Sequence, residues 1–240
     1  MPEWRPRKDW SHLSLSKNTH GLTLCRDDAA VRTPANNPLT VPTRELAREL
    51  FREWESCTHI IQFEEMHFTR RAFRAIDEIA TSRAELLACL SRYAAHELLC
   101  HRATSPPELV DIQDRSWNPI LDWAATQLNA PMTIGTGVMP IAQSPDSLAN
   151  LINLTAEFSD FTLSALQELI QLTGSCLLGL AVVTDHLTPE RAWDLSHLDE
   201  EWQAQQWGRD SEADAAAKCV WEEFKICAEF ESLSRVRCQR

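Results

Sequence analysis

The chain has 240 residues, of which 23 are lysine or arginine and 35 are aspartate or glutamate, for a net charge of −12. A chain of this length buries roughly 70% or more of its unfolded surface without help from a metal or a disulfide, and so acidic a balance excludes the basic face that binding to nucleic-acid phosphates requires. The longest nearly apolar run, residues 176–183, is eight residues against the ~18 needed to span a bilayer, which makes it a buried helix and not an anchor.

At the start, Arg5, Arg7 and Lys8 stand among Pro2, Trp4 and Pro6 with no apolar h-region after them, so no secretory signal is expected. Up to about residue 42 apolar residues alternate: Leu13 with Leu15, Leu22 with Leu24, Leu39 with Val41. Gly21, Asp27-Asp28, Pro34 and Asn36-Asn37 punctuate them, which is a strand-and-turn pattern. From Thr43 the period becomes helical, with Leu46, Leu50, Phe51 and Trp54 on one face, and an extended piece follows at residues 60–63.

Beyond a boundary placed at 68/69 the pattern is nearly all helical. Helices are predicted over 70–81, 83–101, 107–128, 145–157, 162–184, 189–195, 197–207 and 212–233. Their starts combine a cap with first-turn chemistry: Ser82 with Glu85 as a capping box, and Ser105, Ser144 and Thr188 ahead of prolines. Residues 133–138 are the one extended insertion. The fold class expected is α+β: a small β-rich N-terminal domain over 1–68 and a larger helical C-terminal domain over 69–240.

The richest segment is LSHLDEEWQAQQWGRDSE, residues 195–212. Ser196 with Asp199 has the form of a helix cap, and Asp199, Glu200 and Glu201 place negative charge at the positive end of the helix dipole. Gly208 stops that helix, and Ser211 with Asp214 offers a cap for the next. Leu198 and Trp202, four apart, could be ordinary core. Against that reading, residues 194–214 hold seven acids and one base, Arg209, for a local charge of −6, half that of the whole chain. Tryptophan beside acid is a composition common to binding surfaces.

Several constellations with chemical potential fail on spacing. His96 and His101 resemble the HExxH zinc helix, but they are five apart and point about 140° from one another. Only Cys100 shares the face of His96, and two ligands do not make a zinc site. Gly174-Ser175 lacks the frame of a nucleophile elbow and reads as a packing notch inside a continuing helix. Gly135-Thr136-Gly137 lacks the third glycine and the lysine of a phosphate loop. Asp199, Glu200 and Glu212 have no neighbour to raise a carboxyl pKa for acid–base work. The eight cysteines show no CxxC spacing, and reduced thiols are the expectation.

Residues 195–213, preceded by LLGLAVVTDHLTPERAW, resemble the C-terminal signature of the assembly chaperones for the alpha subunit of the F-type ATP synthase. The resemblance continues in order through residues 31–55, 93–103, 117–124 and 133–143, and so covers most of the chain. It implies a small β-rich domain followed by a helical one, no enzymatic activity and no cofactor. It also implies a transient alpha-subunit client, no membrane insertion, a monomer, and a bacterial cytoplasm, or the mitochondrial matrix in a eukaryote. The client surface it implies comprises Asp199, Glu200, Trp202, Gln203, Trp207, Gly208, Asp210 and Glu212, with Glu200, Asp210 and Glu212 foremost. One departure is Cys25-Arg26-Asp27-Asp28, where family members tend to have a glycine free to take a positive φ. The other readings are a helical adaptor for a different protein, and a zinc-dependent hydrolase using His96 and Cys100.

Overall fold

A computed structural model describes residues 6–137 and 141–236. Pro2, Trp4, Arg5, residues 138–140 and Cys238, all drawn on above, lie outside them. In chain order the elements are β1 (Leu13–Asn18), β2 (Gly21–Arg26), β3 (Ala29–Ala30), β4 (Thr40–Val41), α1 (Arg44–Ser56), α2 (His67–Arg74), α3 (Ala80–Ala95), β5 (His101–Arg102) and α4 (Pro107–Gln127). β6 (Gly135–Thr136), α5 (Pro145–Ala156), α6 (Asp160–Thr173), α7 (Cys176–Val183), α8 (Pro189–Ser196), α9 (Leu198–Trp207) and α10 (Ser211–Ser234) complete the order. A small sheet followed by a predominantly helical remainder is the α+β class expected. No described helix is long and apolar enough to cross a membrane.

The chain forms two compact units, the first comprising Met1–Arg83, Ser159–Ala165 and Glu229–Arg240, the second Ala84–Phe158 and Leu166–Ala228. The first takes in more chain than the 1–68 segment proposed from sequence as a domain.

In the first unit β2 is the centre of the sheet, pairing antiparallel with β1, β3 and β4. The alternation of Leu22, Leu24, Leu39 and Val41 turns one sheet face toward the helical face of α1, where Leu46, Leu50 and Trp54 are buried. The missing turn glycine is replaced by two aspartates, Asp27 at φ 44 and Asp28 at φ 66, which join β2 to β3. Asp27 offsets the strain of that backbone because its carboxylate accepts from the amides of Ser11 and His12 at 2.9–3.1 Å. Glu53, at the end of α1, likewise accepts from the amides of Phe68 and Thr69 at 2.7 and 2.8 Å, and so caps α2. The extended piece after α1 pairs with the N-terminal stretch through an Arg7–Ile60 bridge.

Several helix boundaries differ from expectation for local reasons. A π-helical turn at Ala75–Ile79 leads into α3, which kinks at Ser82 (φ −120, ψ 26), where the sequence separates two helices; the Ser82 hydroxyl donates to the Glu78 carbonyl and makes no capping bond. Ser144 makes no capping bond and Ser105 stands one residue before the actual cap position, whereas Thr188 accepts from the Arg191 amide as expected. The helix predicted over 83–101 ends at Ala95. His101 lies in β5, which pairs parallel with β6, and Leu98–Cys100 is a 3-10 turn, so the HExxH-like string is not an α-helix. Among the described residues no cluster of three or more His, Cys, Asp or Glu could hold a metal. Burial and the nearby Glu97 push the Cys100 thiol up to about 12, away from the thiolate that zinc requires.

The helix predicted over 162–184 is two helices. Gly174 takes φ +70 and ends α6, and Ser175 caps α7 by accepting from the Leu178 amide at 3.0 Å. The packing notch is five residues on, at Gly179, where a Cβ would lie 2.6 Å from the Ile170 side chain.

Every residue of α7 is buried, and its N-terminus faces the fully buried Glu97. The Glu97 carboxylate accepts from the Ser175 hydroxyl, from the Leu177 amide at 3.0 Å and from the Leu99 amide at 3.3 Å. Burial nevertheless pushes its carboxyl up from the ordinary 4.5, against the pull of those bonds. The native state therefore holds the proton more tightly than the unfolded chain, and stability declines as pH rises above 4.5 toward the folded-state value. Thermal melts between about pH 5 and pH 7 are expected to show this decline in the wild type and a flatter profile in Glu97→Gln. Glu97→Ala, which orphans a buried hydroxyl and two amides, is expected to lose about 2–4 kcal/mol across that range.

Candidate functional site

The segment singled out in the sequence forms a corner between α9 and α10, held to α4 within the second unit by two side chains. Trp117 donates from its indole nitrogen to the carbonyl of Leu195 at 2.9 Å, which fixes the end of α8. Gln113, 1% exposed, accepts from the Ala103 amide and donates to the Asp199 carboxylate, both at 2.8 Å, which fixes the start of α9. Asp199, half-buried, thus ties the start of α9 to α4. Ser196 is not the cap expected: its hydroxyl donates back to the Trp193 carbonyl at 2.8 Å, and His197 holds the cap position with no side-chain bond. The His197 ring stacks on Trp193 with centroids 3.8 Å apart.

Gly208 ends α9 at φ 94 and ψ 162, backbone that a residue with a Cβ rarely adopts. Arg209 then clamps the corner. Its guanidinium donates to both Glu201 oxygens at 2.7 and 2.6 Å and to Asp214 at 3.3 Å. Hydrogen bonds from Gln205 and Arg209 hold the Glu201 carboxyl below its ordinary value. The next helix is capped by Asp210 and not by Ser211, which is already its first residue: the Asp210 carboxylate accepts from the Glu212 amide at 2.9 Å.

Between the two helices lies a groove of about 720 Å³. Trp193 and Trp221, 5.4 Å apart, close the end remote from the corner, and Trp207 stands at the corner. Ala204, Ala213 and Ala217 lie between, with Glu200, Gln203 and Asp210 along the sides. Trp207 is 75% exposed and meets Trp202 edge-on at 5.8 Å. The half-buried state of Leu198 and Trp202, and the lack of any buried residue on α9, argue against ordinary core at this place. On α10 all ten residues 211–220 are exposed.

The structure therefore gathers five of the eight expected residues on one groove: Glu200, Gln203, Trp207, Gly208 and Asp210. Asp199 faces α4, Trp202 supports Trp207, and Glu212 is exposed but outside the groove lining. Trp193, Trp221 and the alanines were missed in the sequence, although the spacing 210, 213/214, 217, 221 marks one helical face. A second cavity, of about 500 Å³, lies in the first unit beside Glu53, Cys57 and His59. Glu53 there accepts from the α2 amides while burial pushes its carboxyl up, and burial likewise pushes the Cys57 thiol up.

The ATP12 chaperone protein family matches residues 7–125. The crystal structure of Atp12 from Paracoccus denitrificans is 38% identical, with 95% of this chain and 98% of that chain covered and a TM-score of 0.90. An aspartate-to-lysine mutant of the same P. denitrificans protein is 37% identical over the same shares, with a TM-score of 0.91. A candidate chaperone from Agrobacterium tumefaciens is 32% identical, covering 96% of this chain and 87% of that one, with a TM-score of 0.86. The chain belongs to the ATP12 chaperone family.

For an ATP12 chaperone, the corner divides into groups that build it and groups that face outward. The family match ends ahead of the groove, whereas the likeness to the solved structures extends over nearly the whole chain. Asp210→Asn keeps an amide oxygen for the Glu212 amide and is expected to melt within about 0.3 kcal/mol of the wild type, whereas Asp210→Ala is expected to lose about 1 kcal/mol. Glu200→Lys, at an exposed position with no capping bond, is expected to shift stability by no more than about 0.5 kcal/mol. Thermal denaturation followed by circular dichroism separates these roles.

Proposed function

We propose that this protein is an assembly chaperone of the F-type ATP synthase that binds the unassembled alpha subunit, covers its subunit interface and yields it to the beta subunit. The observation that carries the reading is the exposed tryptophan-and-acid groove between α9 and α10 in a member of a chaperone family.

A subunit destined for a ring exposes an apolar interface until its neighbour arrives, and that exposure drives aggregation. A chaperone for it needs contact area without permanence. Trp207 supplies area on a rigid side chain, while Glu200, Asp210 and Glu212 supply charge that speeds encounter more than it slows departure. The location that follows is the compartment where the alpha subunit is made or imported, the bacterial cytoplasm or the mitochondrial matrix. The protein acts here by binding alone, as a monomer, without a cofactor or a chemical step.

The test is light scattering of the cognate alpha subunit diluted from denaturant. The wild-type protein at equimolar ratio is expected to suppress scattering by more than about half, and a Glu200→Lys/Asp210→Asn/Glu212→Lys variant to lose most of that suppression at an unchanged melting temperature. Retaining asparagine at 210 preserves the cap, so a loss reports on binding and not on folding. Equal suppression by both proteins places the client surface elsewhere. No suppression by either overturns the client.

A further inference from the structure

We propose that the α9–α10 groove receives a cationic side chain, an arginine or lysine carried on a short apolar segment of the client, with its charge held between the face of Trp207 and the Glu200 carboxylate. The inference rests on the chaperone reading above and specifies what its site recognises. Three observations carry it.

The first is charge. Four carboxylates line the groove, Glu200, Glu201, Asp210 and Asp214, against two bases, Arg209 and Lys218. Arg209 is taken up by Glu201 and Asp214, and Asp210 is engaged with the Glu212 amide. Among the described residues Glu200 stands as an exposed carboxylate with no ion pair, lining the same groove as Trp207, which is 75% exposed. An exposed indole and an unpaired carboxylate on one helix face are complementary to a cation on an apolar stem, because the ring face attracts the charge and the rest of the ring covers the methylenes.

The second observation is a precedent on α10, at Trp221, which lines the groove, with Glu222 and Lys225 outside its lining. Lys225 places its ammonium 5.3 Å from the centroid of Trp221 and 2.8 Å from a Glu222 oxygen. That pairing of indole and carboxylate around one cation uses residues one and four positions apart on a single helix turn. Trp207 and Glu200 present the same two groups, seven residues or two helical turns apart on α9, from opposite ends of the groove side.

The third is shape. Alanines at 204, 213 and 217 keep the middle of the groove low, and the lining from Asp210 to Trp221 spans about 16 Å along α10. That length suits about three turns of an amphipathic helix, which would set its apolar side on the alanines and its cation toward the corner. Exposure of the whole 211–220 face leaves the approach open.

The experiment uses the full chain and three fluorescein-labelled twelve-residue peptides of identical leucine and alanine content, carrying two arginines, two glutamines or two glutamates at the same positions, with binding read by anisotropy. The arginine peptide is expected to bind saturably, the glutamine peptide about tenfold more weakly, and the glutamate peptide not measurably. Trp207→Ala and Glu200→Gln are each expected to weaken the arginine peptide about tenfold, with the double variant losing less than the product of the two. Equal affinity for arginine and glutamine peptides, failure of all three to bind, or an unchanged affinity in Trp207→Ala overturns the proposal. The same variants are run in the alpha-subunit scattering assay. Suppression retained by both variants overturns the cation site while leaving the client intact, and loss of peptide binding together with loss of suppression supports both.

Discussion

One buried carboxylate organises the helical unit. Glu97 lies between the end of α3 and the start of α7, with the free amides of α7 directed at it. A fully apolar helix such as α7 must start somewhere dry, and a dry helix start leaves backbone donors that only an internal acceptor can satisfy. Glu97 is that acceptor, and Ser175, bonded both to it and to the Leu178 amide, completes the arrangement. The helical break at Gly174 is the consequence: the chain must turn there so that α7 begins in front of the carboxylate. A charge-capable group at 0% exposure is costly on its own, but here it takes the place of a water-filled helix end. The position of α7 then passes to its neighbours, since α7 packs against α4 and α8, and α4 anchors α8 and α9 through Trp117 and Gln113. The end of α8 and the start of α9, on one side of the groove, are therefore tied to the apolar helix behind them.

At the corner itself charge is divided by function. Half of the chain's net charge lies within residues 194–214, yet much of it is engaged locally: Asp199 with Gln113, Glu201 and Asp214 with Arg209, Asp210 with the Glu212 amide. These bonds hold an exposed, small-residue helix start in place where hydrophobic packing is absent. The groups left facing outward are few, and they combine an indole with a carboxylate. A composition rule that counts acids overstates the charge available to a partner, because it cannot separate a capping aspartate from a free glutamate.

The sequence made the fold class legible where a period was sustained. Leu22, Leu24, Leu39 and Val41 gave the sheet face, and Leu46, Leu50 and Trp54 the helix that covers it, because alternation and helical spacing are enforced by burial. Breaks inside apolar stretches were not legible. The step from α6 to α7 carries a glycine stop and a serine cap, Gly174-Ser175, but apolar residues resume directly after it and the whole stretch reads as one helix, while the decisive partner, Glu97, is 78 residues from Ser175. The β5–β6 pairing was hidden for the same reason: a two-residue parallel bridge is set by where α3 ends, and no local pattern records it. Of the site, the corner and its glycine could be read directly. Which serine or aspartate caps which helix could not, because Ser196, Asp210 and Ser211 are all competent caps and differ only in whether an amide is free in front of them. The groove was half legible. Trp207 was evident beside its acids, whereas Trp193 and Trp221 look like core until both helices are placed.

The balance of forces in the groove favours a transient complex. An obligate interface is dry and apolar across its centre, and its strength comes from area that water cannot regain. Here the centre is floored by alanine, which contributes little buried area per residue, and the strong contact groups, three tryptophans, stand at the two ends. Contact energy concentrated at the ends of a shallow groove can be surrendered one end at a time, so a competing subunit that displaces either end weakens the whole attachment without first opening a sealed core. Charge at the rim acts in the same sense, since it raises the rate of encounter and is largely screened once the partner moves beyond a Debye length of about 8 Å at physiological ionic strength. The same residues that make the corner an inefficient core suit the proposed role of a surface from which a client must later be released.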